Sequence, residues 1–212
     1  FLSSEGIDRI DMVVATHPHT DHIGGLATIL KNFKVRYFVE NGEKERSRLY
    51  LECQGLIKQK GIKRFIVQEG AGIKGFNGVE IGVLNPPNKK FHRTNDNSLI
   101  LRLKYKDFSA IFCGDIQENA ARSLSLRQSE EMASTVLKVP HHGGSLGDAG
   151  LEFIKRINPE IAIISTGGKR ASNSTLLLLN ALGINVYRTD VAGAISLTTD
   201  GDNYAVERHK NN

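Results

Sequence analysis

The chain has 212 residues and a formal net charge of +5, with an ordinary globular composition. This length allows one large domain or two small ones with a buried core, and no apolar run approaches the ~20 residues of a membrane-spanning helix. The positive charge favours anionic partners, but the basic residues are less clustered than in a dedicated nucleic-acid-binding protein. Cys53 and Cys113 form neither a metal-binding nor a redox pattern.

The first part of the chain predicts alternating strands and helices. The β-branched run at 9–16 has the length of a buried strand, apolar residues at helical spacing follow at 22–33, and 35–40 returns to a strand pattern. The charged, periodic segment 43–61 predicts a helix that ends at Gly61.

The rest of the chain continues in the same way. Strands are predicted at 63–68, 79–84, 98–105, 108–115, 135–139, 160–166, 184–189 and 194–200, and helices directly after Asp115, at 151–157 and at 174–183. A tight turn at Lys106 and Asp107 joins two of these strands. Strands interspersed with helices indicate one layered α/β domain over residues 1–212, with helices outside the sheets.

Polar clusters appear where three of the predicted strands end. They comprise His17, His19, Asp21 and His22, then Asp115, then His141 and His142. Rigid strands direct the residues that follow them towards a common point. Imidazole and carboxylate groups suit zinc or a similar divalent ion, and two ions ~3.5–4 Å apart need roughly six or seven such ligands. The three clusters together therefore predict a two-metal site.

The segment THPHTDHIGG (16–25) resembles the signature of the metallo-β-lactamase superfamily. That family has an αββα sandwich of two mixed β-sheets with helices outside, and it holds one or two metal ions. NDNSLILRL, FCGDI and LKVPHHGG are similar to segments of the C-terminal hydrolase domain of the ComEC competence proteins, which act in DNA uptake. The resemblance extends through residues 184–201.

In that family, strands with a VGQGD-like segment precede the equivalent of Phe1. We therefore expect that the first sheet lacks its N-terminal strands and that the chain is truncated at its start. A version extended by roughly 45–60 residues, about the length of a few strands with turns, should be more stable and bind metal more tightly. A second departure is Asn173, which stands where relatives tend to carry a histidine in a GHPS-like segment.

The resemblance implies two divalent metal ions, zinc or manganese, as cofactors. The implied ligands are His17 and His19 for the first ion, Asp21 and His22 for the second, and Asp115 as a bridge between them. One of His141 and His142 would complete the second site, and the sequence leaves open which. Our working assignment takes His142 as the ligand and His141 as the group that protonates the leaving group, although a purely hydrogen-bonding histidine fits the pattern equally well.

Other positions would complete the site. Asn95 or Asp96 would stand at the corner where many relatives place a further histidine on the first metal. Two bound ions would turn a shared water into hydroxide, which Asp21 can orient. Phosphodiesters suit such a centre, since the metals can neutralise the phosphate oxygens.

Two basic segments bear on the substrate. Lys89, Lys90 and Arg93 lie in a loop with a phenylalanine, a composition that suits contacts to phosphates and bases. The same composition is also typical of an ordinary solvated polar loop. Lys169 and Arg170 precede a predicted helix, whose N-terminus can bind an anion; an ordinary strand-to-helix turn would have the same pattern.

The function predicted from these features is a metal-dependent phosphodiesterase or nuclease that acts on DNA, single-stranded DNA in particular. In a ComEC-like protein it would be tethered to a membrane channel domain at the outer face of the cytoplasmic membrane; otherwise it would be cytoplasmic. Two alternatives remain, because fold does not determine substrate. One is a hydrolase of a lactone, thioester or β-lactam, and the other is a non-catalytic binding module stabilised by metal.

Overall fold

The computed structural model describes residues 2–167 and 171–209. The chain divides into two compact units, residues 1–68 and 69–212. The expectation of a single domain over the whole chain stays a prediction. Lys169 and Arg170, which were predicted to contact substrate, lie outside the described residues. Among the helices of the described ranges, none is both long and apolar enough to cross a lipid bilayer.

The first unit is built on a three-stranded parallel sheet in the order β1-β2-β3. Its elements are β1 (Arg9–Ala15), α1 (Thr20–Ile23), α2 (Leu26–Asn32), β2 (Lys34–Glu40), α3 (Arg48–Gln59) and β3 (Lys63–Ile66). The single helix predicted over 22–33 is instead two helices. Gly24 and Gly25 lie at the break, and glycine is a poor helix former.

Helix α3 begins later than the sequence pattern predicts. The backbone N–H of Tyr50 donates a hydrogen bond to the hydroxyl of Ser47 over 3.3 Å, which caps the helix. Tyr50, Cys53 and Ile57 are buried at the spacing of one helical face. They belong to the same apolar core as Phe38 of the sheet. Val13 and Ala15 of β1, the strand that leads into the histidine-rich segment, belong to this core as well.

The second unit contains a seven-stranded mixed sheet and a separate two-stranded hairpin. Its elements are β4 (Gly72–Phe76), β5 (Val79–Asn85), β6 (Ile100–Tyr105), β7 (Phe108–Phe112), α4 (Glu118–Ser125), α5 (Ser129–Met132), β8 (Val136–Lys138), α6 (Gly150–Ile157), β9 (Ile161–Ile164), α7 (Asn173–Ala181), β10 (Asn185–Arg188), α8 (Thr189–Ala192), β11 (Ala194–Thr199) and β12 (Tyr204–His209). The sheet order is β10-β9-β8-β7-β6-β5-β4, and β11 pairs with β12.

The mixed sheet changes character at β7. Strands β4 to β7 are antiparallel neighbours, and the predicted turn between β6 and β7 is confirmed, with Lys106 at φ 51°. Strands β7 to β10 run parallel and are joined through helices, as parallel pairing requires. The carboxyl ends of β7, β8 and β9 therefore lie at one edge of the sheet. Residues that follow these strands come together there.

Both faces of the parallel strands are apolar. Ile111, Leu137 and Ala162 belong to the larger core, which includes the helices α4 and α6. Their sequence neighbours Ala110, Val136 and Ile161 belong to a separate core on the opposite face, against which the β11–β12 hairpin packs. Burial on both faces explains why these strands appear in the sequence as continuous apolar runs.

Candidate metal centre

In the first unit, the segment after β1 folds back on itself within one helical turn. The carbonyl of His19 accepts hydrogen bonds from the backbone N–H groups of His22 and Ile23, each 3.0 Å long. This turn is the start of α1. It brings His22 back beside the end of the strand that leads into His17.

The imidazole rings of this segment converge. Nε2 of His17 lies 3.1 Å from Nδ1 of His19, and the ring centroids of His17 and His22 are 4.2 Å apart. The hydroxyl of Thr16 lies 3.1 Å from Nδ1 of His17 and 3.5 Å from Nδ1 of His22. Two nitrogens on one tetrahedral zinc, at ~2.0–2.1 Å each, are about 3.3 Å apart. The spacing between His17 and His19 therefore fits a shared ion.

Asp21 differs from the histidines in its environment. Its side chain is 62% exposed, whereas His17 is 1% exposed. Its Oδ2 lies 3.9 Å from Nε2 of His22. The carboxylate is thus at the solvent side of the cluster, next to a predicted ligand, which suits contact with water.

In the second unit, three predicted residues meet at the carboxyl edge of the mixed sheet. Asp115 follows β7 and is 4% exposed, while His141 and His142 follow β8. Nε2 of His141 lies 4.0 Å and Nε2 of His142 lies 3.8 Å from the same oxygen, Oδ2 of Asp115. The backbone N–H of His141 also donates to the carbonyl of Gly114 over 3.0 Å. A buried carboxylate thus faces two imidazoles, which is a ligand set that suits a divalent cation.

His142 has a partner that determines its tautomer. Its Nδ1 lies 3.0 Å from the carbonyl oxygen of Ser165, which follows β9. A carbonyl only accepts, so Nδ1 must carry the hydrogen. Nε2 of His142 is then the lone-pair nitrogen, and it faces Asp115. Metal-binding histidines in proteins generally have this arrangement.

The backbone of the HHGG segment is unusual. His141 and His142 have φ angles of 48° and 53°, and Gly143 has φ 84°. Non-glycine residues rarely adopt the left-handed region, and such strain is concentrated at functional sites. A Cβ at Gly143 would lie 2.7 Å from Cβ of Ala171. Glycine is therefore required at 143 both for conformation and for space.

The predicted ligand corner has a structural role in this unit. Oδ1 of Asp96 accepts hydrogen bonds from the backbone N–H groups of Gln117, over 2.8 Å, and Ala120, over 3.3 Å. These bonds hold the start of α4. Oδ2 of Asp96 and Oδ1 of Asn95 are buried without a hydrogen-bond partner among the described residues. A ligand role for either residue stays a prediction.

The residues that follow this corner support the rest of the centre. The hydroxyl of Ser98 accepts a hydrogen bond from the backbone N–H of Asp115 over 3.1 Å. Both the N–H and the carbonyl of Phe91 bond to the side-chain amide of Asn97, over 2.8 and 2.9 Å. The NDNS segment thus positions Asp115 and the basic loop at 88–93.

The basic loop reaches His141 through a residue that the sequence patterns did not single out. Nη1 of Arg93 donates to Oε1 of Gln117 over 3.4 Å, and Nε2 of Gln117 lies 3.4 Å from Nδ1 of His141. Lys89 and Lys90 are exposed in the same loop. Gln117 belongs to no recognisable sequence motif. Only its position directly before α4 could have identified it.

Lys138 is a second residue that the sequence patterns did not single out. It ends β8, and its Nζ donates to the carbonyl of Val139 over 3.2 Å. Burial lowers the pKa of Lys138, while Cys113 and Asp115 act in the opposite direction. The feature of the sequence that could have identified Lys138 is that it is the single cationic residue in the apolar run TVLKV, on the strand that leads into the two histidines.

Comparisons with known proteins agree with the fold. Residues 1–168 match the model of the metallo-beta-lactamase superfamily. The chain is 30% identical over 200 residues to ComE operon protein 3 of Bacillus subtilis and 25% identical over 200 residues to the competence protein ComA of Neisseria gonorrhoeae, covering 92% of this chain in both cases. It spans 25% and 26% of the length of these relatives.

A solved structure shows the same fold. It is Igni18, a metallo hydrolase from Ignicoccus hospitalis, with a TM-score of 0.56 and 17% identity; the match covers 94% of this chain and 80% of that one. The family match covers all of the residues that form the two clusters. The chain therefore belongs to the metallo-beta-lactamase superfamily.

Proposed function

We propose that this metallo-hydrolase is a phosphodiesterase that cleaves DNA, single-stranded DNA in particular. The observation that carries the proposal is the arrangement around Asp115. One carboxylate oxygen faces Nε2 of both His141 and His142, and only His142 donates its other nitrogen to a backbone carbonyl. Two adjacent histidines thus have different partners, as expected for one metal ligand and one substrate-facing group.

The proposed ligands would hold two divalent ions, zinc or manganese. They are His17, His19, Asp21, His22, Asp115 and His142. We choose His142 over His141 because its hydrogen bond to Ser165 leaves Nε2 as the lone-pair nitrogen. Asp115 would be a ligand as well, since its buried carboxylate has two oxygens that can bind metal.

When bound, the ions would supply an activated water and neutralise charge on the phosphate. The residues of the chain would do the rest. Asp21, exposed beside His22, orients the attacking water. His141 directs its Nε2 to the same region as Asp115 and donates a hydrogen bond to the departing oxygen. Ser98 holds the backbone of Asp115 in place, and Asn97 holds the basic loop.

Two features support DNA as the substrate. Arg93 of the basic loop is connected to His141 through Gln117, so that phosphates held by the loop would pass close to the centre. The similarity to competence proteins supports a role in DNA uptake. We extend the proposal to a longer protein in which this chain acts beside a membrane channel, at the outer face of the cytoplasmic membrane.

The test uses the purified chain, stripped of metal and reloaded with zinc or manganese. Labelled single-stranded DNA, duplex DNA, a lactone, a thioester and a β-lactam are offered in parallel. We expect metal-dependent cleavage of single-stranded DNA that falls about 100-fold or more in Asp115→Asn. The matched control is Glu152→Gln, which also converts an acid to an amide, but on the exposed surface of α6 beside Lys155.

Two results would contradict the proposal. Turnover of an ester or lactam without DNA cleavage would make the chain a different metallo-hydrolase. Metal binding with no turnover of any of these substrates would make it a non-catalytic module.

A further inference from the structure

A guanidinium, an amide and an imidazole follow one another in the second unit. They belong to Arg93, Gln117 and His141, and both connecting distances are 3.4 Å. Both hydrogen bonds are longer than the usual range of about 2.7–3.2 Å. The order of these three groups determines which atom donates and which atom accepts in each of the two hydrogen bonds.

The direction follows from the donor inventory of the side chains. A guanidinium has donors only, so the atom of Gln117 that faces Arg93 must be the amide oxygen. The amide NH2 group then faces His141, and Nδ1 of that ring must accept. Partners of this kind determine amide orientation and histidine tautomer in proteins. His141 therefore carries its single ring hydrogen on Nε2, the nitrogen that lies 4.0 Å from Asp115.

The surrounding structure supports this arrangement independently. The backbone of Gln117 is held by Asp96, so its side chain is free of any capping role in α4. A Cβ at Gly144 would lie 3.0 Å from Nδ1 of His141. A side chain at 144 would therefore crowd Nδ1, the nitrogen that faces the amide of Gln117.

We propose that Gln117, oriented by Arg93, is a positioning residue that makes His141 a hydrogen-bond donor through Nε2. The inference rests on the proposed phosphodiesterase function and deepens it. His141 then stabilises negative charge on the departing oxygen by hydrogen bonding and keeps its own proton, which goes instead from solvent to the released alkoxide. Its neighbour His142 has the opposite tautomer, because a carbonyl faces its Nδ1. Opposite tautomers give two adjacent histidines different roles.

The first arm of the test reads the tautomer directly. The nitrogen and proton NMR signals of the His141 ring are recorded in the zinc-loaded chain at the pH of activity. We expect hydrogen on Nε2 alone in the wild type. In Gln117→Glu the carboxylate can only accept, so the hydrogen should move to Nδ1. Asp96 still holds the helix start, and an acid at a helix N-terminus is favourable, so this variant should fold.

The second arm separates positioning from general support of the centre. A dinucleotide has a poor leaving group that needs a hydrogen-bond donor, whereas a p-nitrophenyl nucleotide ester does not. We expect Gln117→Glu to lower kcat for the dinucleotide at least about tenfold, with KM nearly constant. The p-nitrophenyl ester should change less than about twofold. For the dinucleotide, Gln117→Met should have a kcat between those of the wild type and of Gln117→Glu. It removes the hydrogen bond to His141 without reversing its direction.

Three results would overturn the inference. They are a hydrogen on Nδ1 of His141 in the wild type, an unchanged tautomer in Gln117→Glu, or equal losses on both substrates. If the tautomer changes as expected but no phosphodiester is cleaved by the wild type, the proposed function fails while the positioning of His141 by Gln117 stands.

Discussion

At the scale of single residues, Glu40 of the first unit is a buried charge that needs polar partners. It is 4% exposed at the end of β2. The guanidinium of Arg64 on β3 donates to its Oε1, and the amide of Gln54 on α3 donates to its Oε2 over 3.3 Å. A buried carboxylate needs such partners, because desolvation of a charge is costly. This ion pair joins β2 to β3, in the sheet whose strand β1 leads into the histidine-rich segment.

We predict that Arg64→Met destabilises the chain by about 3–5 kcal/mol, because it leaves Glu40 buried and uncompensated. Glu40→Gln should cost less, since an amide carries no charge. The double variant Glu40→Gln, Arg64→Met should recover part of the loss. Urea unfolding at neutral pH measures all three. Equal destabilisation in the two single variants would show that the charge itself is unimportant.

At the scale of elements, the connection after β8 is the most constrained part of the second unit. Three consecutive residues have positive φ angles there. The carbonyl of Gly143 accepts from the N–H of Ser172 over 2.9 Å, and the hydroxyl of Thr175 donates to the carbonyl of Gly144 over 2.9 Å. These bonds join the connection to the region where α7 begins. They hold His141 and His142 in a backbone conformation that the side chains alone would not favour.

We predict that Gly143→Ala destabilises the chain by about 2–4 kcal/mol and weakens metal binding. A left-handed conformation costs an L-residue about 1–2 kcal/mol, and the new methyl group would press on Ala171, 2.7 Å away. The control is Gly55→Ala in α3, where no atom lies within 4 Å of the added Cβ; it should be neutral or stabilising by up to about 1 kcal/mol. Thermal unfolding and zinc titration compare the two. If Gly143→Ala behaves like the control, the conformation at 143 is not required.

Much of the second unit could be predicted from its sequence, and the exceptions have physical reasons. Strands β7, β8 and β9 are apolar on both faces, so their continuous apolar runs are easy to recognise. The strand β4 was not predicted, because it contains two glycines and is mostly exposed. The strand β12 was not predicted either, since it is a charged, exposed strand that pairs only with β11.

The candidate site shows the same limit more sharply. The ligand types at the ends of β1, β7 and β8 were visible because strand ends and polar clusters coincide. The difference between His141 and His142 was not visible. It depends on Ser165 and Gln117, which are 23 and 24 residues away in the chain, and on the donor direction of an amide. No local pattern carries that information.

At the scale of the whole molecule, the charge of +5 acts through its distribution. We predict that the double variant Lys89→Ala, Lys90→Ala weakens binding of single-stranded DNA. It should reduce the slope of log K against log salt by about 1.4, which is ~0.7 for each lost phosphate contact. Cleavage of a small chromogenic phosphodiester should stay nearly constant, because these lysines are not proposed as metal ligands.

The charge-matched control is Lys58→Ala, Lys63→Ala in the first unit, where both side chains are exposed. It removes the same net charge and should leave the salt slope almost as in the wild type. An equal change in both double variants would mean that only net charge matters. Equal losses on DNA and on the small substrate would mean that the loop supports the centre and does not contact the polymer.

The central claim is that the two residue clusters bind metal, and elemental analysis after equilibration with zinc tests it most directly. We predict about two ions per wild-type chain, and the loss of at least one in Asp115→Ala, because that substitution removes the buried carboxylate of the second unit. The control Glu152→Ala on the surface of α6 should keep both. A wild-type chain that retains no zinc, or an Asp115→Ala variant with wild-type stoichiometry and affinity, would contradict the account.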